Sequence, residues 1–169
     1  MKHIFLLGFL LSTVFSFAQK WDGFLSGTFQ ADLPNNFDPV ASIRLSGGGK
    51  LNNLALVGIG VGITKFKEYK KLYVPVFGTL TVADFTKRIS PLIVLEPGYG
   101  IYKEGIRGGN RRTVREGGFT FFGGGGVAIA ATSKANLSFS VGYAHYGFKI
   151  DQYSYAAKGV GIRFTATAL

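Results

Sequence analysis

Segment after segment of this chain places apolar residues at every second position, with small or polar residues between them. Over 55–64 the odd positions are Ala55, Val57, Ile59, Val61 and Ile63, and the even ones are Leu56, Gly58, Gly60, Gly62 and Thr64. A period of two is that of a β-strand, so one face is greasy and the other narrow or polar. The pattern returns over 72–82, 93–102, 137–144 and 160–167. In the last of these, Val160, Ile162, Phe164 and Ala166 alternate with Gly161, Arg163, Thr165 and Thr167. Weaker segments at 24–31 and 40–46, and a glycine-interrupted one at 119–131, bring the predicted strands to eight.

The breaks between the segments fall alternately on two sides. Those at 47–53, 84–90 and 132–136 are compact and carry turn formers or lysine. Those at 32–39, 67–70, 104–118 and 151–154 fall on the opposite side and include the longest. Outer-membrane barrels have short turns on one side and longer loops on the other, and an even strand count returns both chain ends to the short-turn side. The pattern predicts an all-β, eight-stranded, antiparallel up-and-down transmembrane barrel.

Alternation alone does not say which face meets water. A soluble lipocalin-like barrel has the same period with its apolar face turned inward, and it is the competing reading. The polar face favours lipid outside. It carries Arg44, Glu96 and Arg163 at mid-strand, and also Gly58, Gly60, Gly62, Gly98, Gly100, Gly142 and Gly161. Solvent makes no demand for glycine. The interior of an eight-stranded barrel is just wide enough for packed side chains, so inward glycines make room for Tyr102, Tyr146 and the arginines. Charges in so narrow a space are tolerated when paired, which predicts a structural ion network of Arg44, Glu96 and Arg163.

Composition sharpens this picture. The chain of 169 residues is 47% hydrophobic and 17% charged, against roughly 25% charged in soluble domains. Past the N-terminus no apolar run reaches the roughly 20 residues of a membrane-spanning helix. At the N-terminus, Lys2 and His3 precede an apolar run over 4–18 that closes on Ser16-Phe17-Ala18, the small-x-small pattern of a cleavage site. This predicts a signal peptide over 1–18 and one mature barrel domain over 19–169. The chain has no Cys, which excludes disulfides, a lipid anchor on cysteine and thiol chemistry.

The chain resembles the small outer-membrane β-barrel proteins of the OmpA/OmpX-like kind, in particular the "outer membrane protein beta-barrel domain" family of Gram-negative bacteria. The likeness spans the predicted mature chain. It rests on Phe17-Ala18-Gln19, on Leu72-Tyr73-Val74-Pro75-Val76, on Pro97-Gly98-Tyr99-Gly100 after an aliphatic strand, and on the last strand over 159–169. The resemblance implies export, residence in the outer membrane, and handling by the barrel assembly machinery, which reads the terminal strand. This strand ends in Leu169, where many members end in Phe. Members have structural, adhesive and unassigned roles, so the resemblance implies little about activity.

Candidate chemistry is sparse. One His follows the predicted signal peptide, His145, so metal ligands are scarce and no cofactor is expected. The glycine runs at 58–62 and 123–126 lack the Gly-Lys-Ser/Thr of a phosphate loop and read as strand glycines. His145 falls on the lipid-facing parity in Tyr143-Ala144-His145-Tyr146-Gly147, which resembles the His-x-Ser of lipid A deacylases. In those hydrolases His serves as base for a Ser nucleophile. Here Gly147 stands where the Ser would be, so the nucleophile is missing, and Ser154 in the next predicted loop is no more than a speculative substitute. The favoured reading of His145 is an interfacial aromatic-belt residue, with the lipid A hydrolase as the alternative. The formal charge is +10. Lys103, Arg107, Arg111, Arg112 and Arg115 cluster at the longest outer break, which reads equally as a site gripping lipopolysaccharide phosphates by charge-assisted hydrogen bonds and as a solvated loop whose Gly105, Gly108 and Gly109 favour flexibility. Nucleic acid is not an expected partner, and a diffusion pore is disfavoured because eight strands leave no channel.

Overall fold

The computed structural model describes residues 23–35, 39–66, 71–103, 115–150 and 153–169. The predicted signal peptide, 1–18, lies outside them. The described residues form β1 (Gly23–Pro34), β2 (Val40–Asn52), β3 (Ala55–Phe66), β4 (Lys71–Ala83), β5 (Ile89–Lys103), β6 (Arg115–Thr132), β7 (Ala135–Ile150) and β8 (Tyr153–Ala168). Each strand pairs antiparallel with its neighbours in sequence, and β1 also pairs with β8, so the sheet closes into an eight-stranded barrel. No helix occurs among the described residues.

The period-two pattern sets the sidedness. Ile43, Ile59, Ile93, Phe119 and Phe164 stand outward and more than half exposed, with Ile59 at 75%. Their strand neighbours Ser42, Arg44, Glu96, Thr120 and Arg163 are buried inside. A soluble barrel needs the reverse arrangement, because burial of apolar surface is what drives folding in water.

The strands run longer than the alternation predicts, and the breaks shrink accordingly. The segment 47–53 is not a turn. Gly47, Gly48 and Gly49 continue β2, paired with Leu25, Phe24 and Gly23 on one side and Ile59, Gly58 and Val57 on the other. These glycines mark close strand approach: a Cβ on Gly48 would run into the backbone of Val57 and Gly58. The real turn is Asn53-Leu54, closed by Asn52 Oδ1 accepting from the Leu54 N–H at 2.8 Å. The hairpin between β6 and β7 repeats the device, with Thr132 Oγ1 accepting from the Lys134 N–H at 3.2 Å. Both hairpins carry a register shift on the strand before the turn, at Lys50/Asn52 and Ala130/Thr132. The third short connection, between β4 and β5, is organised by Asp84. Its Oδ1 accepts from the Thr86 hydroxyl at 2.6 Å and the Thr86 N–H at 3.1 Å, and its Oδ2 pairs with Lys87 at 3.1 Å.

On the opposite side, Asp32, Leu33 and Pro34 extend β1 rather than opening a loop, and Ser154 belongs to β8. Arg115 likewise begins β6, so the longest predicted break contributes 115–118 to the sheet.

Candidate functional site

Arg44 on β2, Glu96 on β5 and Arg163 on β8 meet across the interior, because strands far apart in sequence face one another once the sheet closes. Glu96 Oε2 lies 2.9 Å from Arg44 Nη1 and 2.8 Å from Arg163 Nη1. Glu96, Arg44 and Arg163 are 5%, 3% and 2% exposed, respectively. The Thr79 hydroxyl donates to Glu96 Oε1 at 3.4 Å. The Arg163 guanidinium sits 3.3 Å from the centroid of the Phe122 ring, and that of Arg44 sits 5.1 Å from Phe77. Such faces attract cations through the ring quadrupole. Among the described residues, Arg163 Nε and Nη2 and Arg44 Nε find no hydrogen-bond acceptor.

A second polar group adjoins the first toward the long-loop end. The Tyr146 hydroxyl accepts from Arg44 Nη2 at 3.2 Å and from Gln30 Nε2 at 2.9 Å, and it donates to Asp32 Oδ2 at 2.5 Å. Gln30 Nε2 also reaches Asp32 Oδ1 at 2.5 Å. Two guanidiniums thus share one cluster with two carboxylates, which balance them in formal charge. Above it, Phe66, Tyr73 and Tyr146 form an edge-to-face trio with centroids 5.8 to 6.0 Å apart. Gly100 is opposite Pro75 and beside Tyr73, where a Cβ would fall on the Tyr73 ring.

Asp32, Gln30 and the Tyr146 hydroxyl are the members that sequence reasoning missed. The signal was present in the parity: Ser26, Thr28, Gln30 and Asp32 are consecutive same-face positions. The Pro-Asn-Asn that follows Asp32 and Leu33 made the segment read as a loop.

The outer wall of the long-loop end holds a groove of about 310 Å³ between β6, β7 and β8. It is lined by Gly117, Gly118, Phe119, His145, Gly147, Ser154, Tyr155 and Ala156. His145 is partly buried, pairs in register with Phe121 and Lys158, and lies 6.0 Å from the Phe119 ring. Ser154 borders the same groove but pairs with Lys149. That is four residues along the sheet from the His145 row, about 13 Å at the rise of a strand. A base and the nucleophile it activates need hydrogen-bond reach, roughly 3 Å. Among the described residues no hydrogen bond joins His145 to Ser154 or to a carboxylate. The groove is therefore not arranged as a hydrolytic relay.

Of the basic cluster, Lys103 and Arg115 have backbones directly opposite one another at the ends of β5 and β6. Arg107, Arg111 and Arg112 lie outside the described residues. No group of three or more His, Cys, Asp or Glu capable of holding a metal occurs among the described residues.

No protein-family model matches the chain, and no curated protein sequence matches it. Solved structures do. Neisserial surface protein A superposes with a TM-score of 0.62 at 13% identity, over 86% of this chain and 94% of that one. The N-terminal β-barrel domain of Pseudomonas aeruginosa OprF gives 0.46 at 8% identity, over 85% and 96%. A major outer membrane protein from Thermus thermophilus gives 0.35 at 11% identity, over 86% and 98%. The first likeness carries the fold and, at that identity, nothing finer.

Proposed function

We propose that this chain is a non-enzymatic barrel of the bacterial outer membrane. Its interior is closed by its own side chains, and its basic outer end contacts lipopolysaccharide. The observation that carries the reading is sidedness: an apolar belt faces out on every strand, while inside two arginines pair with Glu96 and Asp32 accepts from Tyr146 and Gln30. The strands have 12 to 18 residues, ample for the 9–11 that a tilted strand needs to cross a bilayer. Likeness in fold to a neisserial surface protein agrees with this placement. Lys103 and Arg115 sit at the two feet of the segment that carries Arg107, Arg111 and Arg112. A cluster of that kind favours phosphate through charge-assisted, often bidentate, hydrogen bonds.

Cell fractionation tests the placement: the protein should sediment with outer membranes and migrate differently on a gel before and after boiling. Recovery in a soluble fraction with heat-independent migration would overturn it. Binding to lipopolysaccharide should weaken with salt and fall when Arg111, Arg112 and Arg115 are changed to Gln. Salt-independent binding that survives those changes would remove the loop from the account.

A further inference from the structure

The groove between β6, β7 and β8 is not used by the interior cluster, and its position along the wall indicates a ligand. On β8 the outward residues Phe164, Ile162 and Val160 are apolar, and the series ends at exposed Lys158. On β3 the outward series Val57, Ile59, Val61 and Ile63 ends in the same way, at exposed Lys65. These two lysines mark the level at which hydrocarbon gives way to charged headgroups, where long cationic side chains reach outward toward phosphate. The groove starts at the Lys158 row, since His145 pairs with Lys158, and runs from there toward the outer end as far as Ser154. It therefore lies at headgroup depth.

Its lining combines three kinds of group. Phe119 supplies aromatic surface, His145 and Ser154 supply hydrogen-bonding atoms, and the glycines and Ala156 leave the space open. No acidic side chain is among the described residues that line it, and Lys158 adds a cation at its membrane end. Aromatic faces with a few polar atoms suit a sugar ring, and the lysine suits a phosphate on that ring. At about 310 Å³ the groove is at the small end of ligand sites, roughly 300–1,000 Å³. That is room for one headgroup unit and not for a whole lipid.

We infer that this groove seats the phosphorylated saccharide headgroup of a glycolipid in the surrounding leaflet, with Lys158 on the phosphate and Phe119 against the sugar. The inference rests on the membrane placement proposed above, but it names a contact on the barrel wall, separate from the arginine-bearing loop.

The test is native mass spectrometry of the full chain reconstituted in nanodiscs. The discs contain either a deep-rough lipopolysaccharide of defined mass or phosphatidylglycerol, which offers phosphate without sugar. The carrier protein has Arg111, Arg112 and Arg115 changed to Gln, so that the loop does not contribute. One lipopolysaccharide should be retained per barrel, in clear excess over phosphatidylglycerol. Lys158→Gln should lower its retention about fivefold, the effect of one cation near an anionic surface, and Ala156→Leu, which fills the groove, should abolish it. Equal retention of the two lipids, or retention unchanged by both substitutions, overturns the assignment. Heat-modifiable migration of the same samples separates the two claims. If it is present without lipopolysaccharide retention, the groove assignment alone fails; if it is absent, the membrane placement fails and takes the groove with it.

Discussion

Glu96 receives arginines from both β2 and β8, at 2.9 and 2.8 Å, in a space almost without solvent. Removing its carboxylate leaves two buried cations with Asp32 as the remaining anion of the cluster. Breaking a buried pair from one side costs about 3–5 kcal/mol, because the stranded charge has lost its water as well as its partner. Glu96→Ala should therefore lower the unfolding free energy, read by urea titration of the barrel in detergent micelles, by an amount of that order; an unchanged midpoint would contradict the network. Asp84, in the exposed turn, makes a prediction with a sign. The Thr86 hydroxyl first, then Lys87 and the Thr86 N–H, hold its carboxyl below the ordinary carboxylate value of 3.8. A lowered pKa contributes stability that is fully present above the ordinary value and is lost as pH falls through the lowered one. The stability gap between wild type and Asp84→Asn should be steady near neutrality and close in acid below 3.8; a gap that widens in acid would reverse the assignment. Parity in the sequence puts Arg44, Glu96 and Arg163 on one face. It does not say that three distant strands converge on a single carboxylate, which only closure of the sheet decides. Asp32 was hidden because Pro34, Asn35 and Asn36 are turn residues by type, and their type masks a period that continues through Asp32.

The strands themselves were legible wherever aliphatic residues alternate with something smaller, as in β3 and β8. They were poorly legible where glycine fills both faces. In β2 and β6, Gly47, Gly48 and Gly49 and the run 123–126 carry no alternation, yet their backbones are paired with strands on both sides. Gly124 and Gly142 face each other across β6 and β7, and a Cβ on Gly124 would come within 2.7 Å of the Val141 carbonyl oxygen. Such positions are selected by the closeness of the neighbouring strand, information that is absent from local sequence. Gly100 is a different case, because the group it accommodates is a side chain. Gly100→Ala should destabilise by overpacking, by roughly 1–3 kcal/mol. In a double-mutant cycle, Tyr73→Leu should relieve part of that cost, since the obstacle is the Tyr73 ring. Strict additivity of the two changes would show that the ring is not what the glycine accommodates.

At the scale of the whole molecule, strand number and order follow from the count of period-two segments, an even number that returns both ends to one side. Sidedness follows from the glycines and charges on one face. The wall groove could not be read, because its sides come from three strands and Ser154 falls in a predicted loop. The interior makes one prediction about transport. Eight strands leave an interior that side chains fill, and here Phe77, Phe122, Tyr73, Tyr146 and the ion cluster occupy it. Planar bilayers containing the protein should show no stepwise conductance, and reproducible channel events would contradict closure. The central claim is that the apolar face meets lipid, and the absence of Cys allows it to be measured site by site. Single cysteines at Leu45, Ile59, Ile93 and Val141, all outward and exposed, are spin-labelled in the reconstituted protein. Their collision rates with oxygen and with a water-soluble nickel reagent are compared with those at Asn53 and Lys134 in the turns. The account predicts that the four wall positions collide readily with oxygen and are shielded from nickel, while the turn positions show the opposite. Wall positions as open to nickel as the turns would contradict it.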